Sequence, residues 1–374
     1  MKAMIMAAGL GTRLLPLTEH ISKPMVPILN RPVIEHIVRL LAAQGFTELA
    51  ANLHWQPREI RDHLGDGGQL GVRLRYAVEA ELSGTAGGVG LFRDFLGDHT
   101  FVVISGDALT DIDLAAFLRA HRASGALATM AVKRVADPSR FGVVVHDAGG
   151  RVTAFQEKPA RHEARSNLCN CGIYAFEPRV FDYIPVPREG EFIDFALHVF
   201  PRLLDEHERL FVWRLETYWS DIGSLDQYRG GNFDALQQHI ELDLPATPLR
   251  PGVWVGEGAE VSPRALLEPP VLIGAGSRVA AGALISGPAV LGEACQVQAE
   301  AVVERSVLWR GTEVGEGAVV SRALVGRGVS IGRGASLGTG VVVADQCIIG
   351  PAVALPPGVT LAPETTVEAG DAAP

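Results

Sequence analysis

The chain has 374 residues, of which 47% are hydrophobic and 20% charged, and a formal net charge of -10 with both signs dispersed along it. This is length enough for two or three domains, and the acidic balance leaves no basic footprint for nucleic acid. No stretch stays apolar long enough to span a bilayer. The apolar start is cut short by Gly9, Gly11 and Arg13 before it could serve as a signal sequence, and Cys169, Cys171, Cys295 and Cys347 make neither a disulfide framework nor a spaced metal site. A soluble, reducing, cytoplasmic setting is the expectation.

Strand-like and helix-like runs alternate up to about residue 240, which predicts an α/β chain with a mostly parallel, doubly wound sheet and helices on both faces. The spacing predicts a buried strand over Ala3–Ala7. Pro32 opens a helix whose Val33, Ile34, Ile37, Val38 and Leu41 share one face, and Gly45 stops it. Strands are expected over Thr47–Leu53, Val72–Val78 and Thr100–Ser105, then a helix over Asp113–Ala123 and a strand over Ala126–Val132. Gly142–His146 and Val152–Phe155 flank Asp147-Ala148-Gly149-Gly150 and read as a hairpin. Pro245, Pro248 and Pro251 mark a linker, which sets the expected domains at 1–244 and 252–366.

Behind the linker an apolar residue recurs at every sixth position. Val255, Val261, Leu267, Ile273, Val279, Ile285, Leu291, Val297, Val303 and Trp309 keep one frame. A one-residue deletion resets the beat to Val314 and Val320, and a second resets it to Val325, Ile331, Leu337, Val343, Ile349, Leu355 and Leu361. Three hexads close one triangular coil, so about six coils of a parallel β-helix are expected, with Trp309 among the coil-filling side chains. Glycines after many of these positions, such as Gly256, Gly274 and Gly292, suit a chain that turns a corner after each short strand.

Ligands of doubly wound sheets bind beyond the carboxyl ends of the strands. The first strand delivers Gly9-Leu10-Gly11-Thr12-Arg13 to that edge, where the glycines would let a phosphate chain approach and successive N–H groups could form an anion nest. A plain tight turn is the alternative. Leu14 stands where a dinucleotide fingerprint needs its third glycine, and no Gly-Lys-Ser/Thr follows as in a Walker loop.

The longer string Ala7-Ala8-Gly9-Leu10-Gly11-Thr12-Arg13-Leu14-Leu15-Pro16-Leu17-Thr18, followed by Ser22-Lys23-Pro24-Met25-Val26-Pro27, closely resembles the signature of the nucleotide-sugar pyrophosphorylases. These enzymes join a sugar 1-phosphate to a nucleoside triphosphate. Ser83-Gly84-Thr85-Ala86-Gly87-Gly88, Ser105-Gly106-Asp107, Phe141-Gly142-Val143, Glu157-Lys158-Pro159, Asn170-Cys171-Gly172-Ile173-Tyr174 and Trp219-Ser220-Asp221-Ile222-Gly223 resemble further segments of that family in the same order. Departures are small: Ser83 replaces a usual Leu, Cys171 a common Ala and Ser22 a frequent Pro. The resemblance extends over essentially the whole chain, because members often carry a left-handed β-helix of hexapeptide repeats behind a Rossmann-like catalytic domain. Gly65–Val72 and Gly106–Leu114 look most like the GDP-mannose branch, which implies GTP and mannose 1-phosphate. Uridylyl, thymidylyl or adenylyl transfer to glucose 1-phosphate, and a non-catalytic sensor of nucleotide sugars, stay open as alternatives.

The resemblance implies Mg²⁺ held by Asp107 and Asp221, with Arg13 and Lys23 on the triphosphate and the leaving pyrophosphate, and Lys158 on the sugar phosphate. Ala8, Gly9, Gly11 and Thr12 would follow the nucleotide, Gly84 and Thr85 would lie beside the base, and Gly142, Glu157 and Asn170 would surround the sugar. Taken without it, Asp107 is a turn residue, Asp221 a cap for a helix near Ser224 and Lys158 a solvated charge. Lysine usage supports the functional roles independently. Lys2, Lys23, Lys133 and Lys158 are the only lysines, and two of the four stand where the family pattern wants one. The implied partners are a nucleoside triphosphate, a sugar 1-phosphate and further copies of the chain assembled partly through the β-helix, with neither nucleic acid nor membrane. Acyl transfer in the tail is disfavoured because no His follows His239.

Overall fold

A computed structural model describes residues 1–370. Their contacts form two compact units. The first comprises residues 1–10, 22–25 and 33–221, and the second comprises residues 11–21, 26–32 and those from 222 onward.

The first unit is built on a nine-stranded sheet. Lys2–Met6 runs parallel between Glu48–Leu53 and Phe101–Ser105, and Arg73–Val78 continues the parallel half beyond Glu48–Leu53. Ala3–Ile5, Leu49–Ala51 and Val102–Ile104 are buried on both faces, which is why these strands read as unbroken apolar runs. The other half departs from the parallel pattern. Leu168–Phe176 is antiparallel to Phe101–Ser105, Ala128–Arg134 and Gly142–His146, and the last of these forms the expected hairpin with Val152–Glu157. A separate pair, Ala108–Thr110 with Trp219–Asp221, leaves the end of Phe101–Ser105. The helix Val33–Ala43 buries the five residues expected of it.

In the second unit a left-handed β-helix stacks three parallel sheets whose partners lie 17 or 18 residues apart, as in Val271↔Ala289 and Val307↔Leu324. The beat residues Leu267, Ile273, Val279, Ile285, Leu291, Val297 and Val303 form its core, and the row continues to Val367. Trp309 is a correction. The coil-filling residue is Leu308, so the first deletion falls between Val303 and Leu308, one hexad earlier than the beat suggests. An indole is too large for a row of Val, Ile and Leu, and its N–H would find no acceptor there. Trp309 instead donates from Nε1 to the Tyr228 hydroxyl at 2.7 Å, with the two rings edge to face.

The three faces of the β-helix differ in what they present outward. One shows the polar row Glu260, Arg278, Gln296, Glu313 and Ser330. Another shows Leu272, Val290, Val307, Leu324 and Val342, all buried although none belongs to the coil interior. The helix Leu225–Leu236 and the segment 26–32 bind the same unit. Tyr228 donates to the Pro27 carbonyl at 2.8 Å, Asn232 accepts from Leu29 N at 3.0 Å, and Asn30 donates to the Leu291 carbonyl at 2.8 Å.

Candidate functional site

The first unit contains a cavity at the carboxyl edge of its parallel strands. Ala8 and Gly9 follow the first strand, Asn52 closes Glu48–Leu53, Glu79 follows Arg73–Val78, and Ser105 and Asp107 lie at the end of Phe101–Ser105; all line the cavity with Lys23, Gly84, Thr85 and Phe192. The first six of these positions lie where a strand leaves the sheet.

Asp107 is the electrostatic centre. Lys23, itself buried, donates from Nζ to Asp107 Oδ2, and Ser105 Oγ donates to Asp107 Oδ1. Burial alone would raise the Asp107 carboxyl, but the Lys23 ammonium and these hydrogen bonds outweigh it and hold the group below the ordinary carboxylate range. Asp107 is therefore anionic at neutral pH, with Lys23 as its counter-charge. Asp221 pairs in backbone register with Ala108, the residue after Asp107, but does not line the cavity. A lone cavity carboxylate such as Asp107 is a donor of the kind Mg²⁺ takes, since that ion completes its octahedron with phosphate oxygens and water. Among the described residues no cluster of three or more His, Cys, Asp or Glu side chains forms an all-protein metal cage.

A second group gathers at the open end of the hairpin. Gly142 pairs with Glu157, Lys158 N donates to the Phe141 carbonyl at 3.1 Å, and Lys158 Nζ donates to Glu157 Oε1 at 2.6 Å. A Cβ on Gly142 would lie 2.5 Å from the Phe155 ring. Asn170 sits on the adjoining strand, next to the Cys169↔Val143 pair, and its amide is already engaged: Nδ2 donates to the Tyr174 hydroxyl at 2.7 Å and Oδ1 accepts from Gly172 N at 3.1 Å. Thr85 hydrogen-bonds Asp194 at 2.8 Å. Gly84 is left-handed at φ +83°, and a Cβ there would lie 2.5 Å from the Ile193 carbonyl. Gly11, Thr12 and Arg13 belong to the second unit. Gly11, at φ 69°, precedes the short helical turn Thr12–Leu14, and Arg13 lines a hollow with Arg229 and Arg322.

Sequence reasoning missed Asn52, Glu79 and the role of Ser83. Asn52 Oδ1 accepts from Ala7 N at 3.0 Å and its Nδ2 donates to Glu79 Oε1 at 2.6 Å. Glu79 Oε2 accepts from Ser83 N at 2.8 Å and from Ser83 Oγ at 2.6 Å. All three side chains are buried, so a connected polar network runs from the glycine loop to the Gly84–Gly90 helix. A Cβ on Gly88 would stand 2.3 Å from Asn52 Nδ2, which explains the glycine there. Asn52 and Glu79 lie at or just beyond the carboxyl ends of their strands, as Asp107 does, but the hydrogen bonds that join them form only between neighbouring strands.

Residues 2–238 match the nucleotidyl transferase family. The chain belongs to that family. Residues 250–355 match the left-handed β-helix domain of the EIF2B epsilon subunit, in agreement with the hexad repeat. Among curated relatives, a UTP–glucose-1-phosphate uridylyltransferase of Synechocystis is 40% identical over 68% of this chain and 69% of its own length. A mannose-1-phosphate guanylyltransferase of Mycobacterium tuberculosis is 35% identical over 71% and 72%, and a mannose-1-phosphate guanyltransferase of Schizosaccharomyces pombe is 38% identical over 66% and 69%. The solved structure of a provisionally assigned glucose-1-phosphate thymidylyltransferase from Bacillus anthracis, in complex with sucrose, is 27% identical, with a TM-score of 0.58 over 65% of this chain and 97% of that one. This nucleotidyl transferase thus places Ala8, Gly9, Lys23, Gly84, Thr85 and Asp107 around one cavity and Gly142, Glu157 and Lys158 at one hairpin end. Among the described residues no helix is long and apolar enough to cross a membrane.

Proposed function

We propose that the protein is a Mg²⁺-dependent sugar-1-phosphate nucleotidyltransferase whose preferred substrates are GTP and mannose 1-phosphate. A phosphate oxygen of the sugar 1-phosphate attacks the α-phosphorus of the triphosphate. The new P–O bond forms as the α–β bridge breaks, and pyrophosphate leaves with that electron pair. The nucleophile is already anionic at neutral pH, so no general base is required. The protein must bring two polyanions into line and offset the charge between them.

The observation that carries the reading is the buried Lys23–Asp107 pair at a cavity edge where Gly9 leaves open space. A Cβ on Gly9 would meet nothing within 4 Å, so the protein's own packing does not demand a glycine there and an incoming phosphate chain does. Lys23 and Arg13 hold the triphosphate and the departing pyrophosphate, Ala8, Gly9, Gly11 and Thr12 line its path, and Gly84 and Thr85 flank the base. Lys158, Glu157, Gly142 and Asn170 hold the sugar phosphate. Asp107 and Asp221 would carry Mg²⁺, which when bound supplies positive charge at the transferring phosphoryl group.

Residues 1–244 carry the chemistry on this reading, and the β-helix of residues 252–366 serves assembly into a homo-oligomer. The buried free thiols at Cys169, Cys171, Cys295 and Cys347 suit a reducing, cytoplasmic setting. The mannose preference is supported by the guanylyltransferases among the relatives and by the Gly65–Val72 and Gly106–Leu114 strings; the Synechocystis relative makes glucose 1-phosphate with UTP the rival. Five nucleoside triphosphates tested against mannose and glucose 1-phosphates, with pyrophosphate release as the readout, decide between them. Release greatest with GTP and mannose 1-phosphate is expected. Preference for UTP and glucose 1-phosphate would overturn the base and sugar assignment, and no release from any pair would overturn the enzyme.

A further inference from the structure

We infer that the second unit carries a site for a phosphomonoester dianion, built by Arg13, Arg229 and Arg322. These arginines come from three separate parts of the chain: the turn Thr12–Leu14, the helix Leu225–Leu236 and a corner of the β-helix. All three line one hollow. The one carboxylate there is Asp226, which accepts from Arg229 Nη2 at 2.8 Å. Among the described residues neither Arg13 nor Arg322 has a carboxylate partner. Three guanidiniums against one carboxylate leave an excess of two positive charges in a common depression, which is the charge of one phosphate monoester above its second ionisation.

The geometry suits that ligand in two further respects. The Arg322 carbonyl accepts from Arg229 Nη1 at 3.4 Å, which ties the helix to the coil corner that carries Arg322, and guanidinium forks match phosphate oxygens better than ammonium groups do. One wall is apolar. Leu324 and Val342 of the outward row of the β-helix line the hollow with the half-buried Leu225, and they offer the organic part of the ligand an apolar contact. Arg13 also stands four residues beyond Gly9 in the signature segment. A ligand that holds Arg13 in the hollow would keep it from the triphosphate, a consequence that rests on the role proposed for Arg13 above.

Calorimetric titration of the full-length protein with inorganic phosphate and with phenyl phosphate tests the site. Both should bind, phenyl phosphate the more tightly because of the apolar wall. Arg229→Gln and Arg322→Asn should each weaken binding at least about tenfold. Asn is chosen because Arg322 has φ 51°, a left-handed backbone that Asn adopts readily, and the carbonyl contact to Arg229 survives the change. Lys158→Ala should leave the binding that depends on Arg229 and Arg322 unchanged. Undiminished binding by the Arg229→Gln/Arg322→Asn double variant would overturn the site, as would loss of the arginine-dependent binding in Lys158→Ala, which would move the phosphate to the sugar side. In turnover, phenyl phosphate should raise KM for the triphosphate in the wild type and not in Arg322→Asn. Binding that depends on the arginines but leaves KM untouched would uphold the site and overturn the nucleotide role of Arg13.

Discussion

In the β-helix a Cβ on Gly292 would lie 2.4 Å from the backbone of Trp309 and Arg310 in the next coil, whereas at the cavity a Cβ on Gly9 would meet nothing within 4 Å. Neither glycine is in the left-handed region, so neither is explained by the corner-turning that the hexad pattern suggests. Gly292 is required by a neighbouring piece of the same chain. Gly9 is left unexplained by the chain itself, and the space over it is what a site needs. The β-helix is a region in which packing accounts for each residue of the beat, and the cavity is a region in which several residues have no packing reason to be what they are.

That contrast breaks most decisively at Asp107. Asp107→Asn removes the anion that faces Lys23, and on the proposed mechanism it should lower turnover at least about a hundredfold, or roughly 3 kcal/mol of barrier. Asp221→Asn should act alike. Both variants should fold, because neither side chain fills the interior of the sheet. Turnover measured across a Mg²⁺ titration, beside a thermal melt, checks both points; near-normal activity at limiting Mg²⁺ would remove that carboxylate from the site.

The two glycines give the next test. Gly292→Ala forces a methyl group against backbone and should destabilise the protein by about 1–3 kcal/mol, visible in the melt. Gly9→Ala should melt like the wild type yet raise KM for the triphosphate about tenfold, the cost of a methyl group where a phosphate must come close. Should Gly9→Ala melt early with an unchanged KM, Gly9 would be structural after all.

The β-helix was legible because a repeat states each coil's interior many times, so Leu267, Ile273 and Val279 each confirm the frame set by the others. Trp309 was misread for the same reason, since a beat counted in sixes absorbs any large apolar residue that falls on it. Asp107 and Lys23 were legible through their motifs and prove to be partners. The Asn52–Glu79–Ser83 network was not, because its members lie 27 and 4 residues apart and meet only once two parallel strands have been laid side by side. Nor was the cover over the outward row Leu272–Val342 legible, since a β-helix strand says which side chains point out but not what lies upon them.

Asn52→Asp sharpens the contrast from the side of the cavity. The variant keeps an oxygen to accept from Ala7 N but exchanges the donor facing Glu79, at 2.6 Å in the wild type, for a second carboxyl. Two buried carboxyls at that distance share one proton and cannot both ionise, so the pair's affinity for the proton rises above that of the unfolded chain. A group raised on folding contributes stability below its unfolded value and loses it as pH rises through the folded one. The variant should therefore be near wild type at the acid end of the stability range and lose stability and triphosphate affinity together as the solution becomes alkaline. Melts and KM taken at the same pH values follow this; a flat difference from wild type at every pH would reduce Asn52 to a packing residue.

The smallest effect expected is that of Trp309→Phe. If Trp309 filled the coil, the smaller ring would open a void in a row of closely stacked side chains, and the loss would resemble that of Leu308→Ala, about 2–5 kcal/mol. With its indole turned out to Tyr228, the substitution keeps most of the apolar contact and removes one hydrogen bond. The Tyr228 hydroxyl remains satisfied, because it still donates to the Pro27 carbonyl at 2.8 Å. A loss of about 1 kcal/mol is then expected, since no buried polar atom is stranded. Denaturant unfolding of Trp309→Phe and Leu308→Ala side by side measures the difference, and comparable losses would return Trp309 to the coil interior.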